Sequence, residues 1–331
     1  MSHILHYPRN MHYFVTGGAG FIGSNYVKHL FQNKKNLSSV TIYDKFTYAA
    51  NQRNYEEFKS DERLKIIKGD ICDLDLLQKS VIGHDYVVNF AAESHVDRSI
   101  DNASEFIQTN ILGTFNVLEA SRKTGIKTVI QVSTDEVYGS LAESSADENF
   151  PIKPNSPYAA SKASSDLLAR SFFVTHGLDV RTTRSCNNYG KYQFPEKIIP
   201  LFISKLNRME KLPIYGDGKN EREWINVEDN VRGIQLVLDK GLPGEIYNIG
   251  TGEHLSNNDL ASSIIKAMNF NNDMKSYVTD RKGHDFRYSV DSKKIESLGF
   301  SKTINFDVGL KETINWYVAN PNWWQVQKKI T

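Results

Sequence analysis

Tyr13-Phe14-Val15-Thr16-Gly17-Gly18-Ala19-Gly20-Phe21-Ile22-Gly23 runs a short β-prone segment into spaced glycines, and Ser24-Asn25-Tyr26-Val27 continues it as a helix. Gly17 permits the tight turn, Gly20 lets backbone approach a pyrophosphate, and Gly23 lets the helix lie close on the sheet. Backbone N–H groups at the helix start, around Phe21 and Ile22, then face an anion. A glycine triplet alone is weak evidence. This one has its strand, its helix and a partner acid, Asp44, at the end of Val40-Thr41-Ile42-Tyr43. A carboxylate there accepts hydrogen bonds from ribose hydroxyls and repels a 2′-phosphate, which predicts NAD rather than NADP. Lys45, beside the acid, weakens that preference slightly. Asp70-Ile71, after the third strand-like run, suits an adenine contact or a helix cap equally.

Working outward, β-prone runs recur at Tyr13–Thr16, Val40–Tyr43, Leu64–Ile67, Tyr86–Phe90, Thr128–Val132 and Val180–Thr183. Each is short and nearly continuous in apolar or β-prone residues, the pattern of strands buried on both faces. Helical patterns start near Phe21, span roughly Ala103–Lys123, and start at Pro157, where Ser156 suits the cap and Gly177 the end. This alternation predicts an α/β protein with a Rossmann-type doubly wound parallel sheet. Beyond about Pro200 loops lengthen, and turns such as Gly216–Gly218 appear. Residues 11–185 are expected to form the NAD-binding domain with the catalytic residues. Residues 186–331 are expected to form a smaller α/β lobe, with the chain free to cross between the two. The Trp323-Trp324 pair reads as core or interface packing.

Composition removes several function classes. The chain has 331 residues, 40% hydrophobic and 24% charged, with 9 prolines, so disordered and collagen-like readings fail. Lys+Arg is 40 against Asp+Glu 39, so no overall field favours nucleic acid or an anionic membrane. Two cysteines, Cys72 and Cys186, make neither a disulfide framework nor a four-ligand zinc site. His95 has no second histidine or cysteine at metal spacing, and no metal is predicted. The first ten residues carry no secretory pattern and no run reaches a membrane span, so a cytoplasmic protein is expected.

Tyr158-Ala159-Ala160-Ser161-Lys162 puts a phenol and an ammonium on one helical face. A free tyrosine is too weakly acidic to serve as a base at neutral pH. A nearby lysine cation, helped by the nicotinamide charge, favours phenolate, and Tyr158 could then take an alcohol proton while hydride leaves for NAD. Val132-Ser133-Thr134-Asp135-Glu136-Val137-Tyr138-Gly139 follows a buried strand, where ligand sites of parallel sheets lie. A plain oxidoreductase needs a Ser or Thr there and nothing more. Adjacent acids suggest one proton donor and one base, which elimination of water requires; the plainer alternative is a solvated turn.

The glycine spacing resembles the extended short-chain dehydrogenase/reductase superfamily in its sugar-nucleotide branch. Thr134-Asp135-Glu136 with Tyr158 and Lys162 resembles the dTDP-glucose 4,6-dehydratase family, from about Met11 to about Trp324. Supporting segments are Asp44-Lys45-Phe46-Thr47-Tyr48-Ala49, Ala91-Ala92-Glu93-Ser94-His95-Val96-Asp97, Asn187-Asn188-Tyr189-Gly190, Phe194-Pro195-Glu196-Lys197-Ile198-Ile199-Pro200 and Gly283-His284-Asp285. The resemblance implies a redox-neutral cycle on NAD. Tyr158, assisted by Thr134, opens oxidation at C4. Glu136 removes the C5 proton, Asp135 protonates the C6 hydroxyl, and C6 is then reduced. It also implies substrate contacts from Ser94, Thr134, Asn187, Lys197, Ile198, Pro213, Tyr215, Arg222, Asn257, Arg281 and His284. Lys45, Thr47, Asp70, Ile71, Ala91, Ala92, Thr109, Asn188, Tyr158 and Lys162 are implied on the cofactor side.

The sequence departs from the family at Ser185-Cys186, an inverted pair, at Lys191 and Lys282 where proline is expected, and at Asn226 where tyrosine is expected. These lie toward the substrate lobe and bear on the base and sugar rather than on the reaction. A UDP-sugar 4-epimerase would need no acid pair, whereas a UDP-glucose 4,6-dehydratase would keep every catalytic residue. A non-catalytic NAD-binding scaffold is the alternative of another class, and the intact catalytic set argues against it. The Phe106–Leu118 helix is apolar on most of its circumference. With the Leu167–Val174 segment it predicts a homodimer.

Overall fold

The computed structural model describes residues 10–325. In chain order its elements are β1 (Met11–Thr16), α1 (Phe21–Asn33), β2 (Leu37–Asp44), β3 (Leu64–Lys68), α2 (Leu74–Val81), β4 (Tyr86–Asn89), α3 (Val96–Asp101), α4 (Ser104–Phe106), α5 (Thr114–Thr124), β5 (Thr128–Thr134), α6 (Pro157–His176), β6 (Val180–Ser185), β7 (Asn187–Tyr189), α7 (Ile198–Leu206), β8 (Leu212–Tyr215), β9 (Glu221–Asn226), α8 (Val227–Lys240), β10 (Ile246–Ile249), β11 (His254–Ser256), α9 (Asn257–Ala267), β12 (Lys275–Val278), α10 (Lys293–Ser297), α11 (Phe306–Ala319) and α12 (Pro321–Gln325).

The six expected strands, with β10 as a seventh, form one parallel sheet in the order β10-β6-β5-β4-β1-β2-β3. The order reverses at β1, between β2 and β4, and the glycine turn leaves the carboxyl end of that strand, where doubly wound sheets bind ligands. Apolar residues of β1, β2, α1 and α8 fill one face of the sheet, and those of α2, α5 and α6 fill the other. One expectation fails here. β3 is not buried on both faces: it is the sheet edge, with Lys65 and Ile66 exposed, and an edge strand has a neighbour on one side only.

Ser156 caps α6 by accepting from Ala159 N–H, Pro157 opens it, and Gly177 ends it at φ 67°. The Ala103–Lys123 pattern is interrupted: α4 passes through a wide π-helical turn, Ile107–Gly113, before α5. Within that turn Asn110 accepts from Glu93 N–H and donates to Glu93 O and to Ser161 Oγ, so it ties the loop after β4 to the catalytic helix. Wide turns of this kind gather at functional sites.

After β6 the chain does cross. β7, β9 and β11 form a separate sheet, β8 pairs with β12, and α7, α9 and α11 pack around them with Trp323 and Trp324 buried among their apolar side chains. Between these, α8 and β10 return to the first lobe: β10 pairs with β6, and Tyr26 of α1 donates to Gln235 of α8 at 2.7 Å. Residues 326–331 of the second expected unit lie outside the described residues. Among the described residues no helix is long and apolar enough to cross a membrane.

The departures at Asn226 and Ser185-Cys186 have local partners. Asn226 caps α8 by accepting from Glu228 N–H, Ser185 donates to Asn230, and Cys186 is buried in the core.

Candidate active site

α1 starts at Gly20 with no side-chain cap, which leaves its first N–H groups to a ligand. A Cβ on Gly17, at φ +67°, would lie 2.6 Å from Ala91 N, and one on Gly23 would lie 2.3 Å from Gly17 O. The turn therefore forms a cradle only glycine can line. One cavity runs from it past Asp44, Lys45, Thr47, Asp70, Ile71, Ala91, Ala92 and Thr109. A second continues along Phe21, Ile22, Gly23, Ser94, Tyr158 and Lys162. A cradle, a diol-binding acid and a long cleft fit a dinucleotide.

Asp44 accepts from Ala19 N–H at 2.9 Å and from Phe46 N–H at 2.8 Å. Burial raises its carboxyl, and those two bonds pull it back. Each oxygen keeps a lone pair for ribose. Asp70 is no helix cap: Asp73 caps α2, while Asp70 pairs with Lys45 at 2.8 Å on the cavity wall. Asn188 is the one cofactor-side expectation the structure leaves out. It lines neither cavity and donates to Cys186 O. The neighbouring bulky Phe90, Gln193 and Phe194 take wall positions that sequence reasoning missed.

Thr134 ends β5 and caps the 3-10 turn Asp135–Tyr138. It donates to Asp135 Oδ1 at 3.1 Å and accepts from Glu136 N–H at 3.3 Å. Asp135 is 3% exposed, and its Oδ2 is buried without a partner. Burial, then the Glu136 charge, push its carboxyl well above the usual carboxylate range, which favours its protonated form. Burial also raises Glu136, but Arg281, Arg222 and Lys197 oppose that, and Glu136 faces the substrate cavity. One turn thus carries two acids in different environments.

The expected action of lysine on tyrosine takes a different form. Burial, then Glu136 and Asp135, hold the Tyr158 phenol far above its ordinary value. Lys162 donates to Val132 O at 2.6 Å, and burial pushes its ammonium down to about 8. In the protein alone, burial first and then the neighbouring acids disfavour the phenolate of Tyr158.

The third cavity meets the second at Ser94, Glu196 and Lys197. Ten expected residues line it: Ser94, Asn187, Lys197, Ile198, Pro213, Tyr215, Arg222, Asn257, Arg281 and His284. Thr134 sits beyond its wall, next to Glu136. Lys197 donates to Ser94 O at 2.6 Å, which ties the two lobes. Arg281 pairs with Asp97 at 3.4 Å, and His284 with Asp280 at 2.6 Å. Arg222 donates to Glu221 O and Asp285 O and stacks on Tyr288. Sequence reasoning missed Asp97, Glu196 and Trp224 on the wall, and Tyr288, whose hydroxyl lies 2.6 Å from Asp285 and 3.5 Å from Glu136. Nothing local marked Tyr288; it arrives from 152 residues away.

A doubly wound sheet, a glycine cradle with its acid, and a tyrosine–lysine helix define an NAD-binding enzyme of the extended short-chain dehydrogenase/reductase class. The chain belongs to the GDP-mannose 4,6 dehydratase family, whose model matches residues 14–313, and within it to the dTDP-glucose 4,6-dehydratases. It is 48% identical to the dTDP-glucose 4,6-dehydratase of Streptomyces niveus over 96% of both chains. It is similar to the crystal structure of DesIV, a dTDP-glucose 4,6-dehydratase from Streptomyces venezuelae with NAD bound. There the TM-score is 0.94 and the identity 48%, over 96% of this chain and 100% of that one. The UDP-glucose 4-epimerase of Thermotoga maritima shares the fold at TM-score 0.87 with 29% identity, over 94% of this chain and 100% of that one.

Proposed function

We propose that this chain removes water from dTDP-glucose, with NAD as a cofactor that is regenerated in each turnover, to give the 4-keto-6-deoxy sugar nucleotide. The observation that carries the reading is the Asp135–Glu136 pair on one turn beside Tyr158, with the two acids in unlike surroundings. Bound NAD, held by the glycine cradle, Asp44 and Lys162, supplies the acceptor for C4 oxidation and the donor for C6 reduction. Tyr158, in the phenolate form that the Lys162 cation and the positive charge of a bound nicotinamide would favour, takes the 4-hydroxyl proton, and Thr134 positions that hydroxyl. The 4-ketone acidifies the neighbouring C5–H, and Glu136 removes that proton and returns one to C5 when C6 is reduced. Asp135, already protonated, donates to the C6 hydroxyl, and water leaves. Lys197, Arg222, Arg281 and His284 surround the diphosphate, while Pro213 and Tyr215 flank the base. Residues 11–185 act as the cofactor unit and 186–331 mainly as the sugar-nucleotide unit. The protein works in the cytoplasm as a homodimer. Ile107, Leu112 and Phe115 leave the π-turn and α5 apolar on the outside, as Leu167 and Val174 do on α6.

Purified protein incubated separately with dTDP-glucose and UDP-glucose tests this. The reading expects a 4-keto-6-deoxy product from dTDP-glucose with no net rise in NADH absorbance. Stoichiometric NADH would point to a dehydrogenase, and a C4 epimer to an epimerase.

A further inference from the structure

Behind the site lies a buried ion pair with no part in the reaction so far. Arg184 on β6 donates from Nε to Asp166 Oδ2 on α6 at 2.9 Å, and the two side chains are 2% and 1% exposed. Arg184 Nη1 donates to the Tyr138 hydroxyl at 2.9 Å, and the guanidinium lies over that ring, 4.8 Å from its centroid. The same hydroxyl donates to Asn248 of β10 at 2.8 Å. Asp166 Oδ1 is buried with no partner.

Such a pair is a poor device for stability alone. Taking both charges out of water is costly, and an apolar pair of similar volume often serves as well. Its position indicates another use. Asp166 stands four residues beyond Lys162 and eight beyond Tyr158 on α6, so all three share one helical face. Tyr138 is the last residue of the turn that carries Asp135 and Glu136. Arg184 therefore bridges the helix that serves C4 oxidation and the turn that serves C5/C6 elimination.

We propose that Asp166 and Arg184 are positioning residues: the pair fixes the tyrosine–lysine helix against the carboxylate turn, with the Asp166 carboxylate one helical turn from Lys162. This rests on the functional reading above. Burial drives the Lys162 ammonium down, and Asp166 is the charge that opposes it. Tyr158 on its own helix and Glu196 and Lys197 across the cofactor cleft share the cavity wall with Lys162, and Asp135 and Glu136 act on Tyr158 beside it. Arg184 has the wrong sign to help a lysine, and its pairing with Asp166 keeps it in place.

The test uses NAD-loaded full-length protein, with kcat and KM for dTDP-glucose measured across pH. Asp166→Leu combined with Arg184→Met removes both charges and leaves neither unpaired. Its kcat should fall about tenfold or more while KM stays within about threefold. Its alkaline limb should move to lower pH, because Lys162 loses the charge that raises it. Asp166→Glu keeps the carboxylate and should return the limb to its wild-type position. Tyr138→Phe deletes one hydroxyl, keeps every charge, and should lower kcat several-fold with the limb unmoved. Wild-type kcat and limb in the double variant overturn the proposal. If that variant does not fold, unchanged kcat in Tyr138→Phe overturns it. Wild-type protein without activity on dTDP-glucose would count against the functional reading and would remove this inference with it. An active wild type whose variants match it removes the inference alone.

Discussion

The Lys162 ammonium lies 2.6 Å from the carbonyl oxygen of Val132, on the strand that ends at Thr134. The catalytic helix is thereby fastened to the element that presents the carboxylate pair, and the lysine keeps two of its three N–H donors for a ligand.

Because burial holds Lys162 at about 8, it is a cation below that pH and neutral above it. Affinity for NAD and turnover should both decline as pH rises through about 8. Lys162→Met should lower kcat by about 10²-fold or more and abolish that decline. Fluorescence titration of NAD binding and kcat–pH profiles of both proteins check this.

The two acids should fail differently. Glu136→Gln leaves Tyr158 and Thr134 in place for oxidation but removes the base at C5. Reduced nicotinamide should then accumulate on the protein, and solvent deuterium should not enter C5. Asp135→Asn should keep C5 exchange and slow loss of the C6 hydroxyl. Each defect should reach about 10²-fold or more in kcat. Exchange lost in Asp135→Asn but kept in Glu136→Gln would reverse the assignment.

Gly23→Ala would place a methyl 2.3 Å from Gly17 O and 2.9 Å from Gly17 C, backbone atoms that cannot swing aside. Overpacking of this kind costs about 1–3 kcal/mol, so the thermal midpoint should fall by several degrees. NAD affinity should fall with it, because the cradle must widen. Differential scanning calorimetry with and without NAD measures both.

Leu167, 58% exposed, and Val174, 64% exposed, stand on the outer side of α6. Leu167→Glu should convert a two-chain species to one chain in sedimentation velocity, with the NAD site intact. A wild type that sediments as one chain at micromolar concentration removes the dimer.

Most of the first lobe is legible in the sequence because its signals are local. The strand before Gly17, the glycine steps and the Ser156–Pro157 cap are each set by residues within a few positions. Tyr158 and Lys162 were readable for the same reason. Other features depend on partners far along the chain. β10 is a four-residue run that becomes a sheet strand only because β6 offers it an edge. The exposure of β3 follows from its end position, which no property of Leu64–Lys68 states. The π-turn at Ile107–Gly113 obeys the spacing of Glu93 and Ser161, which Asn110 must reach together. The rise of the Tyr158 phenol follows first from burial and then from Glu136 and Asp135 acting through space, which its own helix does not state.

The return of β10 to the first sheet bears on how the chain is made. β6 ends at Ser185, but the strand that covers its open edge closes only at Ile249. At synthesis rates of about 5–20 residues per second, the ribosome needs roughly 3–13 s to make the intervening stretch. During that interval the nascent sheet carries an unpaired rim, which is a template for foreign strands. A gene truncated or split near residue 185 would make that interval permanent. Expressing the two halves together should rescue solubility that the first half lacks alone.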